Sequence, residues 1–491
     1  MIRRPPRSTQ SRSSAASDVY KRQICDSRGV VAAEASQGFA PDVDLPPAGP
    51  SYHEQDVSQW WPAAQAAIRA ALAQAGSVGV SPQAVRALAV TSTSGTLVPL
   101  GADRRPLGPA LMYNDSRAVA QAEQLNALAA DFNARLGRSF QPSFGLCKIL
   151  WVAQHDPARF AQVALWAHAG DYLVGCLTGV YDVSDYSTAL KTGYDLLEQR
   201  WPAFIAQTGI PLERLPRIVA PGAVIGSVSA SAAEATGLAL GTVVRAGMTD
   251  ASAALLASGA ARPGEWNSTL GTTLVLKGIS ETLVRDPLGR VYCHLHPLGW
   301  WLPGAASSVG GERLRALAAG QSMALLDQQA AARGPSRLVM YPLARRGERF
   351  PFVAPDAEGF VIGQPENDTD LYRACLEGVA LVERLCYDVL AELGAPAGER
   401  LYVTGGGSRS AVWNQIRADA LGRQLARPEQ PESAFGAALL AAAGTLYDDV
   451  AQAARAMVRI ASVVDPDPAA QAYYDDQYAR LVEACRARGY L

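Results

Sequence analysis

The stretch Ala246–Thr273 constrains this chain more than any other, because a helix of small residues separates one carboxylate from a Gly-Thr-Thr turn. Asp250 follows a β-prone run and begins the helix, so we expect it at a strand-to-helix turn. Gly271–Thr273 joins the β-prone runs Trp266–Leu270 and Leu274–Lys277 as a tight hairpin, whose N–H groups and hydroxyls suit a phosphate. A carboxylate with a phosphate cradle favours phosphoryl transfer. The alternative is a helix-capping Asp and an ordinary hairpin turn.

A second glycine-rich turn lies in Leu401–Gly422, which has the pattern of a buried strand, a three-glycine turn and an amphipathic helix. Glycines at such a junction let the backbone approach a ligand closely, and Trp413 is placed to pack against a flat base. The alternative is a plain strand-to-helix turn with a Trp in the core. Gly304–Gly311 is similarly rich in Ser and Gly. No lysine lies in a GxxxxGK[ST] pattern, so backbone and hydroxyl groups must bind any phosphate.

These three segments, in this order, resemble the C-terminal half of the FGGY family of carbohydrate kinases, which belongs to the sugar kinase, Hsp70 and actin superfamily. In the N-terminal half, Ala87–Leu100 and Leu111–Ala118 resemble that family's sugar-binding strand and aspartate-bearing loop, and Ser184–Asp195 resembles a further family loop. The resemblance covers about residues 24–444. It implies an α/β fold with two actin-like, ribonuclease H-like ATPase domains and a cleft between them.

The resemblance also implies roles for particular residues. Asp250 is expected to be the general base that accepts the proton of the attacking sugar hydroxyl. The expected sugar-binding residues are Ser94, Thr96, Asn114, Asp115 and Arg117. The expected nucleotide-binding residues are Gly271, Thr272, Thr273, Gly310, Gly311, Gly406, Gly407, Ser410 and Trp413. The expected cofactors are ATP and Mg²⁺, and no residue is predicted to be a metal ligand, because Mg²⁺ is held by the phosphates and partly through water.

The sugar strand carries Thr91–Thr96 (TSTSGT) where the family's xylulose kinases carry Gln-Met-His. With the YND and SDYSTALKTGYD motifs, this is similar to the D-ribulose kinases of cyanobacteria and plants. We therefore expect phosphorylation of D-ribulose to D-ribulose 5-phosphate, with D-xylulose, ribitol or another ketose or polyol as alternatives. A catalytically impaired sugar- and nucleotide-binding pseudokinase is an alternative of another class. A Rossmann oxidoreductase is not favoured, because GGGSRS lacks the Gly-x-Gly-x-x-Gly spacing.

The expected organisation along the chain has four parts. Residues 1–23 resemble translated sequencing adapters and are expected to be a disordered segment outside the fold. Residues 24–245 are expected to form the sugar-binding domain, 246–450 the nucleotide-binding domain and 451–491 a C-terminal helical tail. Ile24–Ser36 resembles the family's second strand and the segment after it. The Asp-x-Gly-Thr turn that precedes this strand in the family is absent, so we expect the first phosphate-binding hairpin to be missing and catalysis to be impaired.

Composition excludes several classes of partner. The net charge of −2, with 49% hydrophobic and 18% charged residues and no basic stripe, argues against nucleic acid and anionic membranes. The 7 cysteines are scattered without a CxxC pair, as is typical of buried thiols in a reducing compartment. Strand alternation directs Cys293 away from His294, so no metal site is predicted in Cys293–His296. We expect a cytoplasmic monomer or homodimer whose partners are a small sugar and ATP.

Overall fold

The computed structural model of the protein describes residues 19–39 and 52–491, except the side chains of residues 19 and 20. The chain divides into two compact units, and the division falls between Asp250 and Ala251 rather than after residue 245. Unit 1 comprises the described residues up to Asp26 and those within 30–128 and 140–250. Unit 2 comprises residues 27–29, 129–139 and 251–491.

Up to residue 250, strands and short helices alternate. The strands are β1 (Val19–Cys25), β2 (Val31–Gly38), β3 (Glu54–Gln55), β4 (Ala87–Ala89), β5 (Leu97–Leu100), β6 (Ala110–Leu111), β7 (Leu165–His168), β8 (Val183–Asp185), β9 (Arg217–Val219), β10 (Val224–Ser227) and β11 (Val243–Arg245). The α-helices are α1 (Trp60–Ser77), α2 (Val119–Leu128), α3 (Ala130–Leu136), α4 (Gly145–His155), α5 (Pro157–Gln162), α6 (Ala169–Thr178), α7 (Tyr186–Ala189), α8 (Phe204–Gln207) and α9 (Ala230–Thr236).

The remainder of the chain begins with a helix. The strands are β12 (Trp266–Leu270), β13 (Leu274–Gly278), β14 (Tyr292–Leu295), β15 (Trp301–Ser307), β16 (Val339–Tyr341), β17 (Phe360–Ile362), β18 (Arg400–Thr404), β19 (Gln424–Pro428) and β20 (Ile460–Val464). The α-helices are α10 (Asp250–Ser258), α11 (Gly311–Ala318), α12 (Met323–Arg333), α13 (Asp368–Glu392), α14 (Ala411–Leu421), α15 (Ser433–Ala442), α16 (Val450–Met457) and α17 (Gln471–Ala487).

A parallel pair of strands organises the sheet of unit 1 that matters for the site. The three-stranded sheet has the order β10-β11-β4, and β11 runs parallel to β4 with Val243 opposite Ala87. Beyond both strands, a parallel bridge between Ser92 and Thr249 brings the two segments together again, one residue out of the β4–β11 register. Because the carboxyl ends of parallel neighbours meet at one edge of a sheet, the segments that follow β4 and β11 lie side by side.

Helix α1 covers this part of unit 1 with an apolar stripe. Trp60, Ala64 and Ile68 recur at helical spacing, and all three are buried. Trp60 and Ala64 pack with residues of β5 and β7, whereas Ile68 packs in a second cluster that contains Val244 of β11. The stripe therefore ties the two halves of the unit 1 core together.

A direct backbone contact fixes the segment after β11. A Cβ atom on Gly247 would lie 1.8 Å from the carbonyl oxygen of Val90, which is shorter than any side chain tolerates. Only glycine therefore lets the chain after β11 approach the chain after β4 this closely.

Unit 2 is built on a seven-stranded sheet with the order β14-β15-β13-β12-β18-β19-β20. Strands β12 and β13 form the predicted hairpin, with Leu270 opposite Leu274 across the Gly-Thr-Thr turn. Strand β18 runs parallel to β12 and leads through a glycine turn into α14, which confirms the strand–turn–helix prediction for Leu401–Gly422. Helix α13 is buried along most of its length and packs against α14 and α17.

The start of the chain differs from the expectation. Strand β1 pairs antiparallel with β2, so the expected boundary at residue 23 falls inside a strand. Ile24–Ser36 contains the end of β1, a turn and most of β2, and the turn is closed by Val30 N–H donating to Asp26 Oδ1 at 2.9 Å. The polar side chains of Lys21–Gln23 hide the strand from a search for apolar alternation. The expectation of disorder for residues 1–18 lies outside the described residues.

The end of the chain also differs from the expectation. Helix α17 confirms the predicted C-terminal helix, but β20 pairs antiparallel with β19 and joins the large sheet. Residues 451–491 therefore belong to unit 2 and are not a separate helical tail. Within the described ranges, no helix is long and apolar enough to cross a membrane.

The Gly247 contact predicts a specific loss of stability. In Gly247→Ala, the added methyl group collides with the Val90 carbonyl, and we expect the free energy of unfolding to fall by about 1–3 kcal/mol. The matched control is Gly76→Ala in α1, where a Cβ would meet nothing within 4 Å and should stabilise by up to about 1 kcal/mol. Urea unfolding of both variants measures this, and an unchanged midpoint for Gly247→Ala would refute the contact.

Candidate active site

Asp250 lies where the sequence predicts it, at the turn between β11 and α10 and at the first position of α10. Its side chain is partly exposed. Its backbone N–H donates to the carbonyl oxygen of Ser92 at 3.0 Å, and the preceding N–H, of Thr249, donates to the hydroxyl of Ser187 at 3.0 Å. The backbone beneath the Asp250 carboxylate is thus fixed from two directions, by the segment after β4 and by α7.

A buried carboxylate holds the Ser187 hydroxyl in place. Asp185 caps α7 and accepts hydrogen bonds from the backbone N–H groups and the hydroxyls of Ser187 and Thr188. Burial raises the pKa of Asp185, and the hydrogen bonds from Ser187 and Thr188 oppose that rise. A chain of contacts therefore runs from Asp185 through Ser187 to the backbone of Thr249.

Lys191 is the basic group whose charge acts on Asp250. Burial lowers the pKa of Lys191, and the Asp250 carboxylate opposes that change. Its Nζ lies 5.8 Å from the ring centroid of Phe144, and its Cδ would lie 3.3 Å from a Cβ on Gly95. The side chain is still partly exposed. The sequence assigned no role to Lys191, because neither its spacing nor its neighbours form a known phosphate motif.

The turn Thr93–Thr96 has one accessible hydroxyl among its predicted sugar contacts. Ser94 is partly exposed, whereas Thr96 is fully buried and its hydroxyl lies 2.9 Å from that of Thr93. Gly95 adopts a left-handed φ of 89°, and its carbonyl oxygen accepts a 2.6 Å hydrogen bond from Lys148 Nζ. The structure thus leaves Ser94 available to a ligand and gives Thr96 an internal role.

Asp115 and Arg117 are committed to a buried ion pair. Both carboxylate oxygens of Asp115 accept from Arg117, and Asp115 also accepts from His53 N–H at 2.8 Å. Arg117 pairs in addition with Glu54 at 2.6 Å and stacks over the ring of Tyr52. The expectation that Asp115 and Arg117 grip the sugar is therefore wrong for this arrangement, because their polar groups are already used. Of this loop, only Asn114 is exposed.

In unit 2, the predicted phosphate-binding turn Gly271–Thr273 packs against Gly310 and Gly311, which are expected to bind the nucleotide. Gly271 and Thr272 are exposed at the tip of the β12–β13 hairpin. Gly311 N–H donates to the Gly271 carbonyl at 2.9 Å, and a Cβ on Gly310 would lie 2.6 Å from the Thr272 carbonyl oxygen. Arg315 Nη2 donates to the Thr272 hydroxyl at 2.9 Å. Hydroxyls, backbone amides and guanidinium groups are the kinds of donor that a phosphate accepts from, and all three types occur at this exposed turn.

The glycine turn before α14 keeps its predicted form. Gly406 is exposed and a Cβ there would meet nothing within 4 Å, and Gly407 is partly exposed. Ser410 caps α14, because its hydroxyl accepts from Trp413 N–H at 3.0 Å. Trp413 does not face a ligand: its side chain is buried and its indole N–H donates to the Leu376 carbonyl at 3.0 Å. The expected adenosine contact of Trp413 is therefore wrong, and the Trp belongs to the core beside α13.

No cluster of three His, Cys, Asp or Glu side chains that could hold a metal ion occurs among the described residues. Cys293 and His294 are neighbours on β14, and both are buried. A small hard cation such as Mg²⁺ is usually held by phosphates, water and one or two carboxylates. The donor set of unit 2 is compatible with a metal that arrives bound to the phosphates of a nucleotide.

Comparison with known proteins gives the class. Residues 18–257 match the N-terminal domain of the FGGY family of carbohydrate kinases, and residues 269–445 match its C-terminal domain. The xylulose kinase of Escherichia coli (strain K12) is 30% identical over 77% of this chain and 78% of its own length. The xylulose kinase of Streptomyces coelicolor is 31% identical over 82% of each chain.

A solved structure is similar over nearly the whole chain. The structure of xylulose kinase from Rhodospirillum rubrum has a TM-score of 0.84 and 30% identity, and covers 96% of this chain and 97% of its own. The protein is thus a two-domain α/β sugar kinase with the actin-like ATPase architecture, as the sequence predicted. It belongs to the FGGY family of carbohydrate kinases, whose members use ATP. All three relatives are named xylulose kinases, whereas the sugar-strand motif favoured D-ribulose.

Lys148, in unit 1, makes the free energy of unfolding depend on pH. Burial lowers the pKa of Lys148 to about 7, from a value of 10.5, although the Asp115 charge opposes the shift. Because the folded pKa is the lower one, the unfolded chain binds more protons between these values, so the contribution of Lys148 to stability rises with pH above about 7. The stability difference between wild type and Lys148→Met should change by up to about 1.4 kcal/mol per pH unit.

Urea unfolding of wild type and Lys148→Met at about pH 7 and about pH 9 measures this change. Taking the difference between the two proteins removes the contributions of groups that titrate equally in both. A difference that stays constant with pH would show that Lys148 remains protonated in the fold and would contradict the lowered pKa.

Proposed function

We propose that this protein transfers a phosphoryl group from ATP to a hydroxyl of a pentulose, with D-xylulose preferred to D-ribulose. The observation that carries the proposal is the position of Asp250, which is partly exposed beyond the carboxyl ends of β4 and β11. Its backbone is fixed by hydrogen bonds from Asp250 N–H to Ser92 and from Thr249 N–H to Ser187. The preference for D-xylulose rests on the names of the similar proteins. The TSTSGT motif is the argument for D-ribulose and makes it the competing substrate.

Asp250 acts in this proposal as the general base. A sugar hydroxyl that attacks phosphorus must lose its proton, and a carboxylate within hydrogen-bond reach can accept it. The new bond joins the sugar oxygen to phosphorus, the bond to the leaving phosphate oxygen breaks, and the hydroxyl proton passes to Asp250. Rigid backbone support favours this role, because misplacing a catalytic group by about 1 Å costs about 100-fold in rate.

The sugar is held by the polar groups that the structure leaves accessible in unit 1. Ser94 and Asn114 are the members of the expected sugar set that are exposed or partly exposed. Thr96, Asp115 and Arg117 contribute indirectly, because they fix the two loops that carry Ser94 and Asn114. The exposed hydroxyl and amide suit a neutral polyol, which offers several donors and acceptors but no charge.

The nucleotide is held by residues of unit 2. The exposed turn of Gly271, Thr272 and Thr273, supported by Gly310 and Gly311, would bind the terminal phosphates. Gly406, Gly407 and Ser410 would line the rest of the nucleotide site at the turn before α14. When bound between the phosphates, Mg²⁺ would neutralise part of their charge.

A second candidate function is sugar binding without phosphoryl transfer. The observation that favours it is the lack of any Asp-x-Gly-Thr sequence in the 491 residues, since the family resemblance implies that this turn contacts the metal and phosphate. Such a protein would bind sugar at unit 1 and show no turnover with any substrate.

A panel of sugars separates these functions. With ATP and Mg²⁺, we expect turnover with D-xylulose at a higher kcat/KM than with D-ribulose, and weaker activity with L-xylulose, ribitol and xylitol. A coupled assay for ADP release, with each sugar omitted in turn, measures it. A higher kcat/KM for D-ribulose would reverse the substrate assignment, and sugar binding without ADP release would establish the second function.

Asp250→Asn is expected to lower kcat by about 10²–10⁴-fold, because an amide cannot accept the proton that the hydroxyl loses. The affinities for sugar and ATP should stay within a few-fold of wild type. The matched control is Asp156→Asn, because Asp156 caps α5 and Asn is an equally good cap. Steady-state kinetics and calorimetry measure both. Retention of more than about a tenth of the wild-type kcat by Asp250→Asn would make Asp250 a helix-capping residue only.

A further inference from the structure

Lys191 stands out among the basic side chains of unit 1, because it is partly exposed and its charge acts on Asp250. Lysine is scarce in this chain, and Lys148, whose pKa the Lys191 charge helps to lower, is fully buried on three backbone carbonyl oxygens. The Lys148 ammonium is therefore used by the fold. The Lys191 side chain, by contrast, stays partly exposed.

The helical segment that carries Lys191 also fixes the backbone at Asp250. Ser187 lies in α7 and Lys191 four residues later, in the helical turn Leu190–Thr192 that continues it. The short helical segment whose Ser187 hydroxyl accepts from Thr249 N–H therefore also carries Lys191, in its next turn.

The Lys191 side chain also packs against the turn that holds the accessible sugar-side hydroxyl. Its Cδ would be 3.3 Å from a Cβ on Gly95, and Gly95 directly follows Ser94. A left-handed φ of 89° at Gly95 and the lack of a side chain there make room for the lysine stem. The stem of Lys191 thus packs beside the turn that carries Ser94, and the Asp250 charge acts on its ammonium group.

A buried histidine restrains the end of this segment. His168 Nε2 lies 2.9 Å from the hydroxyl of Thr192, and His168 Nδ1 lies 2.7 Å from Asp171 Oδ2. His168 is fully buried. Its contact with Thr192 limits the positions open to the neighbouring Lys191, which is what an orienting side chain needs if it is to meet a ligand in one geometry.

We propose that Lys191 is a substrate-binding residue of the sugar site, whose ammonium group donates a hydrogen bond to an oxygen of the bound ketose beside the hydroxyl that Asp250 deprotonates. An ammonium group offers three donors and no acceptor, so it complements a carbonyl or hydroxyl oxygen. The choice of a ketose as ligand rests on the proposed function.

The first test is direct binding of D-xylulose, measured by calorimetry without nucleotide. Lys191→Met keeps the length of the stem and removes the charge, and we expect it to weaken sugar binding by roughly 10- to 100-fold, as for a lost hydrogen bond to a charged group. Lys191→Arg keeps the charge and should restore most of the affinity. Lys21→Met, at an exposed position in β1, is the matched control and should bind as wild type does.

The second test is the pH dependence of the same binding. The ammonium is charged below its pKa, so sugar affinity should be present at neutral pH and fall as the pH rises through the Lys191 pKa, which burial lowers from 10.5. The charged groups that act with Lys191 are Asp250 and Lys148. In Lys191→Arg the fall should move to higher pH, because a guanidinium stays protonated.

The outcomes separate the two proposals. If wild type binds D-xylulose and Lys191→Met binds it equally well, Lys191 does not contact the sugar and the inference is wrong, while the proposed function stands. If Lys191→Met weakens binding but Lys191→Arg does not recover it, charge is not what the sugar recognises and the inference is also wrong. If wild type binds no ketose, both proposals fail together.

Discussion

The close approach of Gly247 to the Val90 carbonyl is the contact on which the arrangement of the residues around Asp250 depends. A Cβ at this position would lie 1.8 Å from that oxygen, so the segments after β4 and β11 can run side by side only with glycine there. Once they do, the two segments stay parallel as far as the Ser92–Thr249 bridge, and the backbone N–H of Asp250 reaches the Ser92 carbonyl. The position of the candidate base is therefore set by main-chain packing, which varies less than side-chain packing.

The polar groups around Asp250 divide into those that the fold buries and those that stay partly exposed. Asp185, Ser187 and Thr249 form a buried chain of hydrogen bonds, and Lys148 is committed to backbone carbonyls. Such groups are costly to leave unpaired, so they hold the loops firmly in one conformation. Against that rigid background, Asp250 and Lys191 are charged side chains that stay partly exposed.

The elements that the sequence predicts correctly are those that local pattern decides. The hairpin of β12 and β13 and the glycine turn before α14 arise from β-prone runs and glycines that are adjacent in the chain. Where the predictions for single residues are wrong, the cause is a contact with a residue that is distant in the sequence. Trp413 has the local pattern of a base-stacking residue, but its indole N–H donates to the carbonyl oxygen of Leu376. Arg117 has the local pattern of a sugar ligand, but it forms an ion pair with Glu54. Lys191 lies within the SDYSTALKTGYD motif, but the motif alone does not indicate its relation to Asp250, which arises only from folding.

The central claim is that Asp250 lies within reach of the hydroxyl that is phosphorylated. The most direct test is a crystal structure of Asp250→Asn with D-xylulose bound, because removing the base preserves the sugar. We predict that the hydroxyl oxygen at C5 lies within about 2.6–3.2 Å of the residue 250 side chain. A sugar bound with that oxygen out of hydrogen-bond reach of residue 250, and with no other hydroxyl there, would contradict the account.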